Sequence, residues 1–269
     1  MKEGRLLIVG GNENKRGKNS LLRDFVQLSG GKEGKIAVVP TATKEQKEKG
    51  EMYREVFFEH GALEVQVLKV EDRKDANKRY LEDFFADITG VFFTGGDQLR
   101  LTSIIGGTFL NEILVRRYAE GLLLGGTSAG ASFMSDTMIV EGKEETAPAR
   151  GIVAMAPGLG FWQQSIIDQH FDQRGRIGRL LAAVAQNPGV IGLGIDEDTA
   201  VITEKGSFKV LGTQTVTVVD GSNINISDVS QENRKMPLSL SNITLHVLSR
   251  GYGFDMISRK VKKEEVEID

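Results

Sequence analysis

The 269-residue chain contains no cysteine. That absence excludes disulfide staples, thiolate metal sites and a cysteine nucleophile, and it fits a reducing compartment such as the cytoplasm. Long apolar runs are also missing. Nothing approaches the ~20 apolar residues that cross a bilayer, and the short run in MKEGRLLIVGG is too brief for a signal peptide, so a cytoplasmic protein without a membrane partner is expected. Neither sign of charge dominates: 34 Lys and Arg stand against 37 Asp and Glu, a formal net charge of -3, which provides no basic field to hold nucleic acid. Histidine is scarce. Any chemistry that needs an imidazole must draw on His60, His170 or His246. No spacing of histidines and carboxylates resembles a zinc site, and no metal is expected.

What the chain does have is alternation. Short apolar runs separate longer helical patterns, the signature of parallel strands joined by helices. Strands are expected at 5–9, 35–39, 64–68, 91–93 and 190–195, and helices at 20–28, 44–60, 80–86, 109–120 and 175–186. From residue 199 onward the pattern turns β-rich: 199–203, 207–211, 215–219 and 243–248 read as antiparallel strands, with turn signals at Lys205-Gly206 and Asp220-Gly221. At 40% hydrophobic and 26% charged residues the chain can build one large core, and no repeat, low-complexity stretch or linker divides it. The fold class expected is α/β: an open, mostly parallel sheet flanked by helices, with additional β-strands in the C-terminal third, in a single domain over residues 1–269. The polar stretch near 231–237 is expected as a loop and the charged residues 260–269 as a solvated tail.

The most telling segment is GLLLGGTSAGASFM. It sets Ser128 in a G-x-S-x-G turn between an apolar strand and a helix, which would lift the hydroxyl above the carboxyl edge of a sheet and aim the Ala129 amide at the same point. A Gly-rich phosphate loop or a plain turn would read the same, so context decides. Downstream, His170 lies in DQHFDQRGRIGRL among Asp168, Gln169, Asp172, Gln173, Arg174, Arg176 and Arg179, where a helix is expected to begin. Glu197, between Asp196 and Asp198, follows the apolar run 190–195 and so falls at the carboxyl end of another strand, the edge where open α/β sheets place their sites. A serine, a histidine and an acid at such positions satisfy the logic of base-activated nucleophilic catalysis. The TGGDQ turn offers Gly96 as a second oxyanion amide beside Ala129.

Several of these residues admit plainer roles. Asp168 suits a helix cap. At least one of Arg174, Arg176 and Arg179 is expected on a solvated helix face, and Asp196 and Asp198 are expected to orient the loop around Glu197. His60 reads as a cap or surface residue, His246 as a packed strand residue, and Trp162 as either a cleft or a packing residue.

The set GGTSAGA, DQHFxxRxRxGRL and GIDEDTA, with TGGDQL and VGGNE, resembles the serine peptidase family that contains cyanophycinase and peptidase E, from Val9 to about Phe254. The resemblance implies a fold like class I glutamine amidotransferase domains (flavodoxin-like), a homodimer, and a cofactor-free peptidase. Its substrate would be cyanophycin, an α-linked polyaspartate with arginine on each β-carboxyl, cut to β-Asp-Arg dipeptides through an acyl-enzyme. By the same resemblance Ser128 matches the nucleophile, His170 the general base and Glu197 the acid that orients it. Gln98, Asp168, Gln169, Arg174, Arg176 and Arg179 match substrate-binding positions. A unit carrying both a guanidinium and a carboxylate calls for an acid, Asp168 or Asp172, beside arginines that grip a carboxylate. On that reading Asp168→Ala and Arg179→Ala would weaken cleavage far more than stability. Two rivals remain: an aspartyl dipeptidase like peptidase E, and a non-catalytic amidotransferase-like binding module.

Overall fold

The computed structural model describes residues 4–17, 19–144, 147–231 and 236–263, in two compact units, Met1–Ala131 and Ser132–Asp269. In the first unit β1 (Arg5–Val9), β2 (Lys35–Val39), β3 (Glu64–Val67), β4 (Gly90–Phe93) and β5 (Leu123–Thr127) run parallel in the order β3-β2-β4-β5-β1. Apart from their first residues, β1 and β2 are buried throughout, as are β4 and β5. Such continuous burial means that helices cover both faces, which is why these strands read as apolar runs rather than as alternating patterns.

The covering helices are α1 (Leu21–Leu28), α2 (Gln46–Glu59), α3 (Leu81–Phe85), α4 (Gln98–Ile105) and α5 (Phe109–Ala119). The starts of α1, α4 and α5 follow from capping chemistry. Ser20 accepts the Leu22 amide at 3.3 Å, Asp97 accepts those of Leu99 and Arg100 at 2.8 and 3.2 Å, and Thr108 accepts that of Asn111 at 3.5 Å. An aromatic cluster locks two helices onto the sheet: Phe25 of α1 and Tyr53 and Phe57 of α2 surround Phe92 of β4, with ring centroids 5.2, 5.2 and 5.3 Å away.

After β5 comes a single helical turn, α6 (Ala129–Ser132). The second unit contains a mixed sheet of β6 (Ser135–Gly142), β7 (Val153–Pro157), β8 (Trp162–Gln169) and β9 (Ile191–Ile195), joined by β12 (Thr215–Asp220) and β15 (Thr244–Ser249) in the order β15-β12-β9-β8-β6-β7. Strands β6, β8 and β9 are parallel, and the outer pairings are antiparallel. Helix α7 (Ile177–Gln186) buries Leu180, Ala183 and Val184 against Ile139, Ile166, Phe171, Val190 and Val219. A second antiparallel set runs β10 (Thr199–Glu204), β11 (Ser207–Gly212), β16 (Tyr252–Asp255) and β17 (Lys260–Lys263), while β13 (Ile226–Ser227) pairs with β14 (Leu240–Ser241).

The fold class is α/β, as the alternation predicts. The differences lie where polar residues interrupt strands. In β8, WQQSIIDQ mixes Gln163, Gln164 and Asp168 into the apolar run, and its register with β6 shifts, so no clean period of two survives. Lys260–Lys263, expected to begin a solvated tail, is instead strand β17 with all four residues exposed. Residues 264–269, and 232–235 of the expected loop, lie outside the described residues. Trp162 packs edge-on against Phe208 at 5.8 Å, and His246 lies 5.4 Å from the Phe254 ring. Because Phe92 is fully buried at the centre of the aromatic cluster, Phe92→Ala should cost about 3–5 kcal/mol of stability. Urea denaturation would show this as a lowered midpoint with an unchanged slope.

Candidate active site

Ser128 follows β5 directly and takes a left-handed backbone conformation, φ +54°, which a residue with a Cβ adopts only under constraint. Its amide donates to the Val9 carbonyl at 3.0 Å, continuing the parallel ladder in which Thr127 faces Val9. The next glycine has a steric reason to be there: a Cβ on Gly130 would fall 2.2 Å from the Phe93 carbonyl oxygen. The TGGDQ turn lies alongside. A Cβ on Gly95 would stand 3.4 Å from the Ser128 Cβ, and Gly96, φ +150°, packs so closely on the Ala42 backbone that a side chain would strike its carbonyl at 2.3 Å. Asp97 caps α4, and Gln98 is that helix's first residue. Ser128, Gly96, Ala129 and Gln98 therefore belong to adjoining segments of the first unit.

His170 and Glu197 belong to the second unit, at the carboxyl ends of β8 and β9. The His170 Nδ1 and Glu197 Oε1 atoms are 2.6 Å apart. Three further bonds hold the two loops together: the Phe171 amide to the Ile195 carbonyl at 3.2 Å, the Asp172 amide to Asp196 Oδ1 at 3.0 Å, and the Glu197 amide to Gln173 Oε1 at 2.9 Å. His170 is itself left-handed, φ +48°. Asp196 also accepts the Thr215 amide and hydroxyl, at 3.1 and 2.7 Å, so it orients this loop as expected, and Asp198 accepts the Thr213 hydroxyl at 3.0 Å. Burial pushes the imidazole below its ordinary value. The Glu197 hydrogen bond works in the opposite direction, and the positive charges of Arg174 and Arg176 add to the lowering.

The DQHFDQRGRIGRL residues divide into two groups. Asp168, in β8, is 1% exposed and accepts the Arg179 Nε at 2.7 Å and a second Arg179 nitrogen, with Arg176 3.5 Å away. Arg176 and Arg179 are 4% and 6% exposed. The guanidinium partners expected for Asp168 in a substrate are thus arginines of the protein itself, and Asp168 is neither a surface acid nor a helix cap. Arg176 also donates to the Gln169 carbonyl and to Glu144, a residue the sequence motifs do not single out because it lies 32 positions away. Asp172, Gln173 and Arg174 form an exposed turn, in which Arg174 lies 3.5 Å from Glu144. Gln169 is buried. Among the described residues no group of three or more histidine, aspartate or glutamate side chains is arranged to hold a metal.

Residues 6–211 match peptidase family S51. The chain belongs to peptidase family S51. The peptidase is 37% identical to a cyanophycinase of Synechococcus elongatus over 97% of its own length and 81% of that protein's. It is 38% identical to a cyanophycinase of Geminocystis herdmanii, over 95% and 93% of the two chains. Among solved structures it resembles a peptidase from an acI-B1 actinobacterium, with a TM-score of 0.66 at 20% identity over 94% of this chain and 97% of that one. A putative peptidase E from Listeria monocytogenes has the related fold at a TM-score of 0.55 and 14% identity, over 78% and 99% of the chains. The family expected from the motifs is thus the family found, and the chain is a peptidase.

Two outcomes follow from this geometry. Removing one partner of the buried Asp168–Arg179 pair strands a charge, so Arg179→Ala should lower stability by about 3–5 kcal/mol, read as a drop in the denaturation midpoint. This reverses the expectation that the substitution would spare the fold. The second concerns pH. As a general base His170 would act in its neutral form, so a lowered imidazole value would extend activity to lower pH, and the acid limb of kcat/KM should fall below about 6.5. Glu197→Gln removes an influence that raises the value and should move the limb lower still while reducing the rate. Arg174→Ala removes one that lowers it and should move the limb upward.

Proposed function

We propose that the chain is a serine-type exopeptidase that hydrolyses cyanophycin to β-Asp-Arg dipeptides, with both compact units serving one hydrolase activity. Ser128 is the nucleophile, His170 the general base and Glu197 the acid that fixes the histidine tautomer. The reaction class rests on one observation above the others: a serine held at φ +54° in a strand-to-helix turn, a strain that persists only where the surroundings enforce it. The substrate rests on relatives named cyanophycinase that are 37–38% identical over nearly the whole chain.

The chemistry proceeds by acyl transfer. Ser128 Oγ attacks the carbonyl carbon of an Asp–Asp backbone bond as its proton passes to His170, and the oxyanion is met by the amides of Ala129 and Gly96. The C–N bond then breaks, His170 returns the proton to the leaving amine, and water attacks the acyl-enzyme with the histidine again as base. Cleavage beside a chain end frees the terminal unit as β-Asp-Arg. Each unit presents a carboxylate and a guanidinium. Exposed Arg174 is suited to the first and Asp172 to the second, with Gln98 and Gln169 as further contacts. Asp168, Arg176 and Arg179 contribute by setting the backbone on which His170 rides. A homodimeric state, resting on the family resemblance, and a cytoplasmic location, resting on the lack of cysteine, complete the proposal.

Ser128→Ala and His170→Ala should each abolish release of β-Asp-Arg from purified cyanophycin, measured by mass analysis, with circular dichroism unchanged. Substantial turnover by Ser128→Ala protein would sink the assignment. Activity should also survive prolonged chelator treatment, whereas loss restored by one metal would contradict a serine mechanism. The specificity constants for cyanophycin and a simple Asp-X dipeptide decide the substrate, since a ratio favouring the dipeptide makes the protein an aspartyl dipeptidase instead.

A further inference from the structure

Behind the nucleophile turn lies a carboxylate that the mechanism above does not use. After β1 the chain passes through two left-handed residues, Gly11 and Asn12, φ +109° and +45°, and this reversal carries Glu13 inward while Asn12 stays exposed. The Glu13 side chain is 1% exposed. Its partners come from three separate segments. Thr127 Oγ1 donates to Glu13 Oε2 at 2.6 Å, Tyr53 OH donates to Oε1 at 2.6 Å, and Lys15 Nζ lies 3.3 Å from Oε1 while also stacking 5.4 Å over the Tyr53 ring. All three partners are donors, the complement of an ionised, acceptor-only carboxylate.

Thr127 is the residue immediately before Ser128. Its backbone is fixed by the β1–β5 ladder, and its hydroxyl is held by Glu13. Tyr53 in turn belongs to the aromatic cluster around Phe92, so the carboxylate ties the nucleophile turn to the rigid core of the unit. We infer that Glu13 is a positioning residue for the nucleophile: by holding the Thr127 hydroxyl against Tyr53 and Lys15, it keeps the following residue in the left-handed conformation that presents Ser128 Oγ. It touches no reacting atom. Its contribution is to geometry, and a displacement of about an ångström at a reacting group can lower the rate on the order of 100-fold.

This inference rests on Ser128 being the nucleophile, and the experiment separates the two. Wild-type, Thr127→Val, Thr127→Ser, Tyr53→Phe and Glu13→Gln proteins are compared for kcat and KM on cyanophycin, and for the rate at which a fluorophosphonate labels them, the labelled residue being located by mass spectrometry. Thr127→Val keeps the side-chain shape without the hydroxyl and should lose about 10- to 100-fold in both kcat and labelling rate with KM unchanged. Thr127→Ser restores the hydroxyl and should restore both rates. Glu13→Gln and Tyr53→Phe should show losses in the same direction, and the threonine pair carries the test if Glu13→Gln does not fold. Equal rates in Thr127→Val and wild-type protein, or equal losses in Thr127→Val and Thr127→Ser, overturn the role of Glu13 and leave the nucleophile in place. A label found on a residue other than Ser128 in the wild-type protein overturns the serine reading itself.

Discussion

Left-handed backbone at side-chain-bearing residues is the constraint around which the reactive loops are built. Ser128, His170 and Asp198 all have φ near +50°, a conformation that costs about 1–2 kcal/mol each and survives only when neighbouring bonds over-determine it. The protein meets this cost locally. At Ser128 the amide is tied to Val9 and the preceding threonine to Glu13. At His170 the next two amides are tied to Ile195 and Asp196, and the imidazole to Glu197. Asp198 uses its own carbonyl, which accepts the Thr213 amide at 3.0 Å. At Ser128 and His170 these restraints include bonds to the end of the neighbouring parallel strand, and at Asp198 the bond comes from just beyond antiparallel β11.

Buried charge follows the same rule of local completeness. Asp168 and Glu13 are each 1% exposed at the side chain, and each is surrounded by donors of the protein itself, Arg176 and Arg179 at the start of α7 for the first and Thr127, Tyr53 and Lys15 for the second. An isolated carboxylate at such burial would be strongly disfavoured, and supplying its partners from the protein removes it from the set of groups available to a ligand. A stretch dense in charge therefore separates into an interior half, Asp168, Arg176 and Arg179, and an exposed half, Asp172 and Arg174. The two halves alternate along the sequence because the segment passes from a strand through a tight turn into a helix.

That alternation explains what could and could not be read from the sequence. Strands β1, β2, β4 and β5 were legible because strands buried on both faces are nearly unbroken apolar runs, and α1 and α5 because they begin at Ser and Thr caps, whereas α4, hidden behind the TGGDQ turn, was not expected. The turn at Ser128 was legible for a different reason: its G-x-S-x-G spacing after an apolar run marks a strand-to-helix turn, and the His170 and Glu197 motifs downstream supplied the context. Strands β6 to β8 were not, because Gln163, Gln164 and Asp168 hide the period. The burial of Asp168 and Arg179 was equally hidden: 11 residues separate the partners, and nothing in residue type distinguishes an arginine that faces solvent from one that satisfies an interior acid. Glu13, the last residue of the VGGNE motif, and Glu144 are farther still from the groups they serve, 114 and 32 positions, and only the fold shows what they hold.

The influence of Arg174 on His170 couples the proton to whatever occupies the exposed turn. Arg174 lies in the exposed turn 3.5 Å from Glu144, and its charge disfavours the imidazolium. An anion that settles against the guanidinium cancels part of that field, so the histidine becomes a stronger base when the turn is occupied than when it is empty. Linkage makes the relation mutual: a proton on His170 must strengthen the hold on the anion by the same factor that the anion strengthens the hold on the proton.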